Sequence, residues 1–204
     1  MYRFIESIKL LNGEFYRLKL HQQRMDKVFD IFYPDLLKVY LYNSLISLNF
    51  PKDGFYKCRI VFDSKIQNIE FSPYQLPQIR TLKVVEISIP STIYKSADRK
   101  EINEIYAQRE KCDDVLLVKN NLVTDSSYCN TAFFDGKTWF TPKKPLIYGI
   151  QREELLKNKK IFEKDIEIKS VFSYQSICLF NAMIEFGEII FSTENIYLNV
   201  NSLL

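Results

Sequence analysis

Apolar and polar residues alternate along the first twenty positions in a way that predicts a β-hairpin. Strand Tyr2–Leu10 leads to an Asn12-Gly13 turn, the commonest type I′ pair, and a second strand is expected over Phe15–Leu20. The period then changes. Met25, Val28, Phe29 and Phe32 fall at i, i+3, i+4 and i+7, which predicts an amphipathic helix over His21–Tyr33. Pro34-Asp35 ends it and is expected to cap a second helix, Leu36 to Leu48. Alternation returns at Phe55–Phe62, with Tyr56, Cys58, Ile60 and Phe62 on one face and Lys57 and Arg59 on the other, followed by a partner strand Ile66–Tyr74.

A proline-bearing stretch, Gln75–Arg80, reads as a connection between domains. Beyond it come a strand Thr81–Ile89, a polar loop Pro90–Ala97 and a helix carrying Asn103, Ile105 and Tyr106. Val115–Val118 is an apolar strand that turns at Asn120-Asn121 into a shorter one. Asp135-Gly136, set between Phe-Phe and Trp-Phe, predicts another hairpin. Gly149 precedes a helix expected to run to about Lys159, and the tail reads as strands Ile166–Val171, Ser176–Ile184 and Glu188–Ser192. One run breaks the pattern. Thr124-Asp125-Ser126-Ser127-Tyr128-Cys129-Asn130 places a carboxylate and an amide among strands that should be buried, and such groups need partners or a ligand.

Composition narrows the chemistry. The chain has 204 residues, 47% of them hydrophobic, enough for one domain or two small ones. Its 28 basic and 25 acidic residues give a net charge of +3, which argues against nucleic acid or an anionic membrane as partner. No apolar run is long enough for a membrane span, and the first residues lack the apolar core of a signal peptide, so a cytoplasmic protein is expected. Cys58, Cys112, Cys129 and Cys178 are widely spaced, which favours reduced thiols over a disulfide frame or zinc. With His21 the one histidine, neither a His-based metal site nor a Ser-His-Asp hydrolase is expected. Catalysis has to rest on Lys, Arg, Asp, Glu, Tyr or Cys, with or without a bound cofactor.

Six short segments together resemble the class IV aminotransferases, the pyridoxal-phosphate fold-type IV group. This group holds branched-chain and D-amino acid aminotransferases and 4-amino-4-deoxychorismate lyase. Ile5-Glu6-Ser7-Ile8-Lys9 with Asn12-Gly13 resembles F-E-T-I-R…D-G, and His21-Gln22-Gln23-Arg24 resembles H-x-x-R. Lys95-x-x-x-Arg99 resembles the lyase branch's K-H-L-N-R, and Thr124-Asp125 with Asn130 and Phe133 resembles T-E-x-x-x-x-N-x-F. Thr141-Pro142 with Gly149-Ile150-Gln151-Arg152 resembles T-P…G-I-x-R, and Cys178 to Met183 resembles the C-N-A-L segment. The order and spacing match across nearly the whole chain.

The resemblance implies an α+β fold of two domains, a small α/β domain over residues 1–78 and a larger, mostly β domain over 79–204 that carries the Schiff-base lysine. The cofactor, pyridoxal 5′-phosphate, would occupy the cleft between them, in a homodimer. Lys95 is implied as the catalytic lysine. Arg24, Arg99 and the N–H groups of Ile150 and Gln151 would hold the cofactor, with Asp125 at the pyridine nitrogen and Asn130 beside it. A planar guanidinium and a helix N-terminus both suit phosphate. A Schiff-base lysine must be deprotonated to attack, and cationic neighbours such as Arg99 or Arg24 would favour that. Arg59 and Ser7 would meet the substrate. The implied reaction converts 4-amino-4-deoxychorismate to 4-aminobenzoate and pyruvate, a step of folate biosynthesis. An aminotransferase of the same family and a non-catalytic paralogue are the alternatives. Two departures favour the paralogue. Aspartate stands at Asp125 where the family has glutamate, and the family's usual first strand, with its Y-G-D-G turn, has no counterpart.

Overall fold

A computed structural model describes residues 2–198. The chain divides into two compact units, Met1–Leu76 with Ile93–Asp98, and Pro77–Thr92 with Arg99–Leu204.

The first unit is a four-stranded antiparallel sheet covered on one face by helices. Its elements are β1 (Phe4–Leu11), β2 (Glu14–Phe15), α1 (Leu18–Phe32), α2 (Leu41–Ile46), β3 (Phe55–Phe62) and β4 (Ile66–Pro73). The sheet order is β2-β1-β3-β4. Phe4 and Ile8 of β1, Cys58, Ile60 and Phe62 of β3, and Met25, Val28 and Phe29 of α1 form its core, closed by Leu41 and Leu45. Burying a side chain of this size contributes about 1.5–3 kcal/mol, so this shared face is what holds helix and sheet together.

Three expectations are corrected here. The second strand stops at Phe15, because Arg17 turns left-handed (φ 53°) and starts α1 three residues earlier than the apolar stripe suggested. The helix expected over 36–48 forms only at Leu41–Ile46. The Gln22 side chain donates to Val39 O and accepts from Leu41 N, holding the chain extended up to Tyr40. Segment 93–98, expected beyond the connection, packs with the first unit. Ile5 N donates to Lys95 O, Ala97 N donates to Arg3 O, and the Tyr94 ring meets Phe4 edge-on.

The second unit is built on a nine-stranded mixed sheet. Along the chain come β5 (Leu82–Glu86), α3 (Lys100–Ala107), β6 (Asp114–Lys119), β7 (Leu122–Ser126), β8 (Asn130–Phe134), β9 (Trp139–Pro142), α4 (Ile150–Lys157), β10 (Phe162–Lys164), β11 (Ser176–Phe180), β12 (Ile189–Ser192) and β13 (Ile196–Tyr197). The path β10-β9-β8-β7-β6-β5-β13 carries a branch in which β11 pairs with both β8 and β12. Helix α3 packs Ile102 and Ile105 on Val85, Val115 and Leu117. The β8–β9 hairpin turns at Asp135-Gly136 as expected. Gly136 has φ 100°, which an L side chain rarely adopts, and Asp135 Oδ1 accepts from Lys137 N and Thr138 N.

The tail differs from its expected strands. Ile166 O accepts from Val123 N and Ile168 N donates to Asn121 O, so this segment clips onto the β6–β7 turn. It then forms a 3-10 turn, Ile168–Ser173, in place of a strand. Strand β11 ends at Phe180 because Asn181 Oδ1 accepts from Met183 N and Ile184 N and folds the chain back. Helix α4 ends at Lys157, two residues short of the expected limit, with Lys159 left-handed (φ 53°). No helix among the described residues is long and apolar enough to cross a membrane.

Candidate active site

In the first unit the strand alternation sets Glu6 in phase with Phe4, Ile8 and Leu10, a carboxylate on the apolar face of β1. A buried charge needs partners, and α1 supplies two, one helical turn apart. His21 Nδ1 donates to Glu6 Oε2 at 2.6 Å. Arg24 Nε donates to Oε1 at 2.7 Å and Nη2 to Oε2 at 2.6 Å, a bidentate clasp. Burial alone would raise the Glu6 carboxyl. The Arg24 charge and the His21 hydrogen bond more than offset that and lower it to about 2. Burial holds His21 below its ordinary value against the pull of Glu6, so the imidazole is neutral and its Nε2 is buried with no hydrogen-bond partner. Lys95 adds positive charge from nearby and favours the same state. With Nε and Nη2 spent on Glu6, the Nη1 side of the Arg24 fork is left for another anion. On the opposite sheet face, Ser7 and Arg59 lie directly across from each other in the β1–β3 register. Arg59 also faces Glu70, 3.5 Å away.

In the second unit the polar run is buried, as its place in the sheet requires. Asp125 and Asn130 are register partners across β7 and β8. Asp125 Oδ1 accepts from Asn130 Nδ2 at 2.8 Å, and Oδ2 accepts from Ile147 N at 2.9 Å. Asn130 Nδ2 also donates to Ile147 O at 2.8 Å. Burial raises the Asp125 carboxyl to about 7, only partly countered by these bonds and by the Arg152 charge.

The segment they hold leads into α4. Gly149 is its N-cap and no side chain caps it, so the first N–H groups, those of Ile150 and Gln151, have no acceptor within the helix. That end is a place for an anion. The Gln151 side chain points elsewhere, donating to Asn181 O and Ile184 O. Arg152 donates to Pro142 O and Glu163. Arg99 lies at the start of α3, with its guanidinium over the Tyr128 ring at 5.0 Å and donating to Ser127 O.

Within the first unit the structure thus brings together Arg24, Lys95 and two residues the motifs left without a role, Glu6 and His21. Within the second it brings together Asp125, Asn130 and the start of α4. The signal that could have found Glu6 is its phase, since a carboxylate among Phe4, Ile8 and Leu10 has to be paired.

The fold is that of the fold-type IV pyridoxal phosphate proteins. The chain belongs to the amino-transferase class IV family, whose model matches residues 60–189. A relative from Haemophilus influenzae, an uncharacterized protein, is 35% identical over 185 residues, covering 90% of this chain and 98% of its own. A protein from Haemophilus somnus 129pt, solved and provisionally named a 4-amino-4-deoxychorismate lyase, is 32% identical with a TM-score of 0.82, over 90% of this chain and 97% of that one. A hypothetical aminotransferase from Mycobacterium tuberculosis, solved in a PLP-bound form, shares the fold at 14% identity, with a TM-score of 0.71 over 90% and 78% of the two chains.

Membership indicates pyridoxal 5′-phosphate as the cofactor, and the residues present fit it. A buried carboxylate raised to about 7, with lone pairs left beyond its two accepted bonds, suits a pyridinium N–H. The uncapped start of α4 suits a phosphate.

Proposed function

We propose that this protein is a pyridoxal phosphate-dependent lyase that converts 4-amino-4-deoxychorismate to 4-aminobenzoate and pyruvate. The observation that carries the reading is the likeness to the Haemophilus somnus protein, at 32% identity over nearly the full length of both chains. When bound, the cofactor supplies an electron sink for the bond pair released at the substrate's amine-bearing carbon.

This chain's residues do the rest. Lys95 Nζ would be the group that holds the cofactor and, when free, the base that takes the proton from the substrate's amine-bearing carbon. In the second unit the N–H groups of Ile150 and Gln151 would bind the phosphate and Arg99 would add positive charge; in the first, the Nη1 side of Arg24 would be offered to an anion. The Asp125 carboxylate would accept from the ring nitrogen. Arg59 pairs with a substrate carboxylate, and Ser7, opposite it, donates a hydroxyl.

The test is to supply 4-amino-4-deoxychorismate and follow both products. Equal release of pyruvate and 4-aminobenzoate, lost in Lys95→Ala, is the expected result.

The family name favours a second reading, an aminotransferase acting on an amino acid. Incubation with branched-chain or D-amino acids separates the two, because a transaminase leaves the cofactor in its amine form and makes a keto acid. The lyase makes no keto acid from these amino acids.

A further inference from the structure

Asn130 is one of the residues expected to touch the cofactor, yet its polar atoms are committed to the protein. A side-chain amide has two N–H donors and one carbonyl acceptor. Both donors are spent, one on Asp125 Oδ1 and one on Ile147 O, each at 2.8 Å. The amide has nothing left to give a phosphate, and its remaining oxygen would repel one. That oxygen lies against the backbone of Gly149, where an added Cβ would sit 1.9 Å away.

Gly149 has φ −71° and ψ 148°, an extended conformation open to any residue, so glycine is needed there for space and not for its dihedral freedom. Asn130 is therefore packed into the last residue before α4 while it holds Ile147 from the side. Asp125 completes the grip by accepting from Ile147 N. On the far side Thr92 pairs with the same segment, donating to Leu146 O and accepting from Tyr148 N. The chain from 146 to 149 is thereby fixed at both edges, just before the helix start whose N–H groups stand open.

We propose that Asn130 is a positioning residue for phosphate, fixing the lead-in to α4 through Ile147 and Gly149, and does not itself touch the cofactor. This rests on the functional reading above. It predicts that Asn130 matters more to the phosphate end of the ligand than to the ring, which it reaches through Asp125 alone.

The experiment compares wild type, Asn130→Ala and Gly149→Ala in phosphate-free buffer. Each is titrated with pyridoxal phosphate and with pyridoxal, and inorganic phosphate is used as a competitor. Loss of two buried hydrogen bonds predicts that Asn130→Ala weakens pyridoxal phosphate and inorganic phosphate about tenfold. Pyridoxal should weaken clearly less, since the bond to Asp125 is the one tie from Asn130 toward the ring and Asp125 keeps its bond from Ile147 N.

Gly149→Ala should give the same pattern by pushing the amide off its seat, and it carries the test if Asn130→Ala fails to fold. In the double variant, the shortened side chain at position 130 leaves room for the added methyl, so Gly149→Ala should then cost less than about twofold. Equal weakening of pyridoxal and pyridoxal phosphate would place Asn130 on the ring and overturn the proposal. So would unchanged binding of every ligand by the variants. If wild type binds neither pyridoxal phosphate nor pyridoxal, the functional reading fails and the proposal goes with it. Wild-type binding with unaffected variants removes the proposal alone.

Discussion

The Glu6 carboxylate offers the sharpest test of how the first unit is held together. Substituting Glu6→Gln keeps the side chain's shape and removes its charge. Arg24, whose side chain is 11% exposed, then keeps a nearly buried guanidinium with no counter-charge. Removing one partner of a buried pair costs about 3–5 kcal/mol, because the other charge is left uncompensated. The titration of Glu6 gives an independent figure. Lowering from 4.5 to about 2 corresponds to about 3 kcal/mol of stability at neutral pH. The sign follows from the direction. The folded value lies below the unfolded one, so this contribution is fully present above pH 4.5 and lost as pH falls toward 2. Urea unfolding of both proteins at pH 7 should show Glu6→Gln less stable by about 3 kcal/mol. The gap should close as the pH is lowered from 4.5, because wild type then loses the same charge. A variant within about 0.5 kcal/mol of wild type at pH 7, or a gap that stays constant through the acid range, would mean that the Glu6 charge does not hold the unit together.

Other groups give further expectations. Asp125 is raised to about 7, so wild type should lose stability relative to Asp125→Asn as pH climbs from about 4 to about 7 in cofactor-free protein, and thermal melts of the pair across that range check the slope. The thiols of Cys58 and Cys178 are pushed up to about 12 by burial, so both should resist a thiol reagent at pH 8 until the protein is unfolded. Gly136→Ala should cost about 1–3 kcal/mol, mostly from the backbone at φ 100°, since the nearest atom to the new Cβ is the movable end of Gln175. Denaturant midpoints with unchanged slope would confirm a pure stability effect.

Much of the local structure was legible because its signals are local. Asn12-Gly13, Asn120-Asn121 and Asp135-Gly136 each mark a turn that the chain makes, with left-handed or positive φ at Asn12, Gly13, Asn120, Asn121 and Gly136. The stripe Met25, Val28 and Phe29 found the buried face of α1. The failures come from side chains acting at a distance in sequence. Gln22 bonds residues 39 and 41 from 17 and 19 positions away and keeps the chain extended up to Tyr40, and no periodicity in 36–48 reports that.

The second unit's motif residues were visible as Asp125 and Asn130. What they hold was not, because Ile147 lies 22 and 17 positions further on. Periodicity names the strands but not their neighbours, so the parallel pairing of β5 with β6 had no signal of its own.

Whether Lys95 holds pyridoxal phosphate is read from the absorption spectrum of the purified protein with added cofactor. Wild type should gain a band at longer wavelength than the free cofactor, and Lys95→Ala should lack it. No band in wild type, or the same band in both proteins, would rule out Lys95 as the residue that holds the cofactor.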